Sequence, residues 1–213
     1  MIDLLRSQAK NHSIGTLILT HGAGAPMDSA FMEQLTAALN AVDIDVVRFE
    51  FPYMQQRRAT GRKRPPDRQA ILLDYWQKVY QQVMADGTEK PVCIGGKSMG
   101  GRMASLYACQ ENTIAGVCCF GYPFFPGGKY KSGRIEHLLT AATPTLIVQG
   151  TRDPFGKPEI IEPLNLSAAI ELCWLEAGDH NFKPTVRSGI EHRQHIQTAA
   201  QAVQRFFLSL KEH

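Results

Sequence analysis

No stretch of this chain approaches the roughly 18 consecutive apolar residues that would cross a bilayer, so no membrane span is expected. The opening MIDLLRSQAK lacks an apolar run followed by small residues, so no secretory signal is expected and the reading places the protein in the cytoplasm. Disulfide chemistry finds no footing either. The five cysteines are an odd number, and no C-x-x-C pair occurs. Cys93, Cys118, Cys119 and Cys173 lie in apolar, strand-like runs and Cys109 on a helical pattern, so reduced thiols are expected. Repeats, low-complexity tracts and linkers are also missing, and 213 residues are read as one domain spanning 1–213.

The net charge of +3 is concentrated rather than spread. Arg57, Arg58, Arg62, Lys63, Arg64 and Arg68 face the single acid Asp67, which gives that segment +5 and leaves the remainder near −2. No aromatic residues interleave within the cluster, so nucleic acid is not an expected partner.

What is present is an alternation of two periodicities. Short apolar runs occupy Ile14–Thr20, Ile44–Glu50, Pro91–Gly95, Ile114–Phe120, Pro144–Gln149 and Ala169–Leu175. Most are apolar on both parities, as strands covered on both faces must be; Ile44–Glu50 is more mixed and reads as nearer an edge. Helical spacing follows Pro26-Met27-Asp28 at Phe31, Leu35, Ala38 and Leu39, and again from Asp67, a candidate N-cap, to Asp86-Gly87. A further helix begins after Ser98, and a last one carries Ile196, Ala199, Ala200, Val203, Phe206, Phe207 and Leu210. Phe51–Pro66 reads as one long irregular loop. The pattern predicts a minimal three-layer αβα sandwich with about six mostly parallel strands.

The chemistry concentrates in Gly96-Lys97-Ser98-Met99-Gly100, a G-x-S-x-G placed directly after a strand and before a helix. A tight turn there requires small flanking residues and holds the Ser in a strained conformation that exposes its hydroxyl. The Met99 N–H, at the helix start, can donate to a developing oxyanion. Gly96-Lys97-Ser98 could also end a phosphate-binding loop, but that pattern needs Gly at position 91, which is Pro91, and Val92, Cys93 and Ile94 read as strand.

A nucleophile of this kind needs an acid and then a histidine further along the chain. Gly150-Thr151-Arg152-Asp153-Pro154 and Gly178-Asp179-His180-Asn181-Phe182 each follow a strand, and both loops should open at the edge where Ser98 lies. His180 would move the Ser98 proton and Asp153 would hold the imidazole tautomer. Asp179, as a sequence neighbour, is poorly placed to reach the His180 ring. Thr20-His21-Gly22-Ala23-Gly24-Ala25-Pro26 follows the first strand, where Ala23 or Gly24 is the candidate second oxyanion donor and His21 a support for the loop.

These motifs, HGAGAPMDSAFM, FEFPYM with its basic sequel, GGKSMGGRMAS, QGTRDPFG and GDHNF, resemble the KANL3/Tex30-like branch of the α/β-hydrolases over roughly residues 14 to 207. That branch is distantly related to dienelactone hydrolases. The resemblance implies an α/β-hydrolase fold and a triad of Ser98, Asp153 and His180. Dienelactone hydrolases typically use Cys where this chain has Ser98, so their substrate is not carried over. Gly121–Gly133 lies where many relatives insert a lid and is too short for a lid domain.

The expectation is therefore a serine hydrolase acting on a small-molecule carboxylic ester or thioester, needing no metal or cofactor. The alternative is a non-catalytic scaffold of the same fold that binds a partner protein. Tyr122, Phe124, Phe125 and Tyr130 are expected walls of an open pocket, and Arg57, Arg58 or Arg62 a site for an anionic substrate group.

Overall fold

The computed structural model describes residues 2–87, 89–126 and 134–210. Seven strands form one sheet: β1 (Leu5–Ser7), β2 (Gly15–Thr20), β3 (Ile44–Phe49), β4 (Val92–Lys97), β5 (Gly116–Phe120), β6 (Thr145–Gly150) and β7 (Ile170–Leu175). Their spatial order is β1-β3-β2-β4-β5-β6-β7. All neighbours are parallel except β1, which runs antiparallel to β3 with Leu5 opposite Arg48.

The central strands are apolar on both parities because each face meets helices. Ile18, Ile94, Val117 and Ile147 enter one core with Leu72, Trp76 and Val79 of α3 (Gln69–Ala85) and Met103 and Tyr107 of α4 (Met99–Ala108). Their neighbours Leu17, Cys93, Cys118 and Leu146 enter the other, with Leu35 and Leu39 of α1 (Ala30–Ala41) and Ala199, Val203 and Phe207 of α7 (His192–Ser209). Short helices α5 (Glu136–Leu139) and α6 (Pro158–Ile161) complete the connections around β6. The five cysteines are all unpaired. Among the described residues no helix is long and apolar enough to cross a membrane.

Three expectations need correction. The sheet has seven strands, not six: β1 is only three residues, two of them exposed, and carries no usable alternation. Phe51–Pro66 is not one irregular loop, since α2 spans Pro52–Thr60. Pro52 starts it and Gly61 ends it at φ 67°, a conformation glycine adopts without strain. Only Tyr53 and Met54 of α2 are buried, so no apolar stripe announces it. Asp67 does not cap α3, whose N-cap is Arg68. Its carboxylate accepts the Tyr53 N–H in the first turn of α2 at 3.1 Å and pairs with Arg64 at 3.1 Å.

Candidate active site

β4 ends at Lys97 and α4 starts at Met99, leaving Ser98 alone in the turn with φ 52° and ψ −116°. A non-glycine residue there is strained by about 1–3 kcal/mol, and it persists only where the surroundings over-determine it. They do. A Cβ on Gly96 would sit 2.5 Å from the Gly100 carbonyl carbon, and one on Gly100 would sit 2.6 Å from the His21 carbonyl oxygen. Both glycines of the motif are thus required by backbone contact between β4, α4 and the loop after β2. The Ser98 N–H is held by the Phe120 carbonyl at 3.0 Å and its own carbonyl accepts from Arg102 at 3.1 Å.

The loops after β6 and β7 bring Asp153 and His180 to this turn. His180 Nε2 lies 3.0 Å from Ser98 Oγ, and His180 Nδ1 lies 2.7 Å from Asp153 Oδ2. With Nδ1–H donating to the carboxylate, Nε2 is left to accept the serine proton. Asp153 is fully buried, and its charge is compensated by donors. Phe155 N–H reaches Oδ1 at 2.9 Å, while Gln149 Nε2 reaches Oδ2 at 3.0 Å. Gln149 is a residue that sequence reading passed over as the end of a strand. It is buried, and it also receives the Tyr122 N–H at 2.6 Å and donates to the Gly156 carbonyl. The Phe155 ring stands edge-on to His180 at 4.6 Å. Asp179 instead shapes its own loop, accepting N–H groups from Asn181 and Lys183.

His21 is buried without contact to Ser98 Oγ: Nδ1–H donates to the Gly22 carbonyl at 2.7 Å and Nε2 accepts the Phe51 N–H at 3.2 Å. Desolvation lowers its pKa, which suits this neutral supporting role. Residues 22–25 line one side of a cleft of about 250 Å³ that also meets Ser98, His180, Asn181, Lys97, Phe31 and Met32. Tyr53 Oη donates to the Ala23 carbonyl at 3.2 Å, and Arg57 approaches the Ala23 and Gly24 carbonyls at 3.4 and 3.5 Å. In a trans peptide the next N–H points opposite to the carbonyl, so these contacts turn the Gly24 and Ala25 N–H groups away from α2. The Met99 N–H, at the first position of α4, is one of the donors a helix start leaves without an intrahelical partner.

The expected pocket walls are elsewhere. Tyr122 and Phe124 have no exposed surface and belong to the core. Gly121, at φ 66°, turns the chain down beside α4, where the Tyr122 hydroxyl meets Ser105 and His137. Phe125 is likewise buried, and Tyr130 lies outside the described residues. The apolar wall is supplied by Phe31 and Met32 of α1; helical spacing had picked out Phe31 only as part of an apolar stripe, and Met32 not at all. Arg57 braces the loop rather than lining the cleft, and Arg62 is exposed beyond the end of α2.

Arg58 is also drawn away from substrate, to Glu50 at 2.6 Å and Asp28 at 2.8 Å. Glu50 is almost fully buried, so its carboxylate depends on that partner. Arg58→Ala is expected to lower unfolding free energy in urea by on the order of 1–2 kcal/mol while leaving turnover within about twofold. A raised KM at unchanged stability would contradict this.

Residues 13–208 match the family described as an alpha/beta hydrolase domain. Similar solved structures include dienelactone hydrolase from Anabaena variabilis, with TM-score 0.73 and 16% identity over 97% of this chain and 90% of that one. An alpha-beta serine hydrolase homologue from Coxiella burnetii gives TM-score 0.72 and 18% identity over 95% and 89%. A lidless serine hydrolase from Xanthomonas campestris gives 0.68 and 19% over 95% and 89%. At these identities the likeness is one of fold.

Proposed function

This chain belongs to the alpha/beta hydrolase domain family, and on that premise we propose that it is a serine hydrolase cleaving a carboxylic ester or thioester through an acyl-enzyme. The observation that carries the reading is the unbroken hydrogen-bonded line from Ser98 Oγ through His180 to buried Asp153. In this mechanism Ser98 Oγ attacks the acyl carbonyl while His180 Nε2 takes its proton. The oxyanion is stabilised by the Met99 N–H and an N–H from Ala23 or Gly24, each worth about 2.7–4 kcal/mol in the transition state. His180 then protonates the leaving alcohol or thiol. Water, activated by the same imidazole, releases the acid and regenerates Ser98. Side chains and backbone N–H groups of this chain handle every proton and electron pair, so the reading calls for no metal or cofactor.

The cleft, at about 250 Å³, is smaller than the roughly 300 Å³ and upward typical of drug-sized ligands, which favours short acyl groups against Phe31 and Met32. The motifs favour the KANL3/Tex30-like branch, and the five unpaired thiols suit a reducing, cytoplasmic setting. A p-nitrophenyl ester series tests the reading. Acetate to butyrate should be hydrolysed with kcat/KM at least about tenfold above octanoate. Lack of turnover above buffer with every ester, and with acyl thioesters, would contradict it.

A further inference from the structure

Lys97, the residue between the strand and the nucleophile, is a buried cation that the reaction outlined above leaves unused. Its Nζ donates to the backbone carbonyl of His180 at 2.7 Å, across 83 residues of chain. The ammonium lies 5.4 Å from the centroid of Phe31 and 6.0 Å from that of Phe182, two rings that pack edge-on at 5.4 Å. Gly121 makes room for it, since a Cβ there would stand 2.8 Å from Nζ and 3.3 Å from His180 Nδ1. These contacts tie the turn carrying Ser98 to the backbone of the residue whose ring must face it.

We propose that Lys97 is a positioning residue, its side chain fixing the His180 loop against the Ser98 turn so that Nε2 stays within reach of Oγ. The inference rests on the hydrolase reading for its kinetic consequence. An Nζ–H bond to that carbonyl, made from a buried side chain, leaves the loop little freedom, and while Nζ is protonated the bond is charge-assisted and roughly twice as strong as a neutral one. The His180 ring itself meets Asp153, Ser98 and Phe155, and the Lys97 bond adds a tether on the backbone of the same residue.

Holding a cation there opposes folding. Desolvation lowers the Lys97 pKa to about 7, although Asp153 and Asp179, the acids facing it from the loops after β6 and β7, act the other way. In the unfolded chain a lysine titrates near 10.5, so between about pH 7 and 10.5 the unfolded state binds more protons and stability rises with pH. Replacing the ammonium by an apolar side chain of similar length removes that opposition. The stability of Lys97→Met should therefore rise less between pH 7 and 10 than that of the wild type.

The experiment compares wild type, Lys97→Met and Lys97→Gln by kinetics on p-nitrophenyl acetate and by proton NMR of the His180 Nδ1–H. In Lys97→Met, kcat should fall about 10- to 100-fold with KM within twofold, because a misplaced base slows the chemical step. The Nδ1–H resonance should shift or broaden. Lys97→Gln, which keeps an N–H donor, should recover part of both. A kcat within twofold of wild type together with an unmoved Nδ1–H signal would overturn the proposal. Wild type that turns over no ester would instead sink the hydrolase reading, and the NMR comparison would still decide whether Lys97 positions His180.

Discussion

Ser98→Ala is expected to lower kcat for ester hydrolysis by about 10⁴-fold or more, leaving a residual rate from oxyanion stabilisation and binding. The fold should not register the loss, since among the described residues Oγ hydrogen-bonds only His180 and changes of this size stay within about 0.5 kcal/mol. Ser98→Gly sharpens the test because it acts on two properties in opposite directions. The backbone at position 98 has φ 52°, which glycine adopts freely and serine does not. Glycine there should raise unfolding free energy by about 1 kcal/mol while abolishing turnover as alanine does. Chemical denaturation and initial rates on one pair of preparations measure both. Retained activity in either variant would mean that the hydroxyl is not the nucleophile.

The second large effect belongs to Asp153. Asp153→Asn should lower kcat on the order of 10⁴-fold, with little change in substrate binding. The carboxylate accepts from three donors: His180 and Gln149 on Oδ2, Phe155 on Oδ1. An amide has one acceptor oxygen, so in either orientation it turns an NH₂ toward at least one of those donors. It also removes the negative charge that stabilises the imidazolium formed as Ser98 gives up its proton. Since the site is fully buried, the unpaired donor should also cost about 1–3 kcal/mol of stability. Kinetics at a temperature well below unfolding separates the two effects. A drop of less than tenfold in kcat would contradict the assigned role.

What could be read from the chain was set by how local each signal is. Most of the parallel strands announce themselves as apolar on both parities, because α1 and α7 cover one face and α3 and α4 the other. Ser98, Asp153 and His180 were legible as a set since each follows its own strand, and all those strands end on the same side of the sheet. β1 was not legible: three residues cannot establish a period, and its place comes from pairing with β3. α2 was hidden by its arginines and glutamines, although Pro52 and Gly61 marked its ends.

Side-chain destinations were the hardest to read. The aromatic run after β5 could have faced the cleft or the core, and the turn at Gly121 decided for the core. The arginines of α2 offered positive charge near the site, but Glu50, just after β3, and Asp28, 30 residues earlier in the chain than Arg58, drew Arg58 away. Lys97 occupies a position that the nucleophile pattern leaves open to any residue. Nothing in its neighbourhood along the chain foretells a bond to the carbonyl of residue 180.

The most direct test of the central claim is to treat the folded protein with a fluorophosphonate and locate the adduct by peptide mass spectrometry. One stoichiometric modification is expected on Ser98, lost in Ser98→Ala and strongly slowed in His180→Ala. A folded protein that takes no label, or takes it elsewhere, would rule out Ser98 as the nucleophile and favour a scaffold that binds a partner without chemistry.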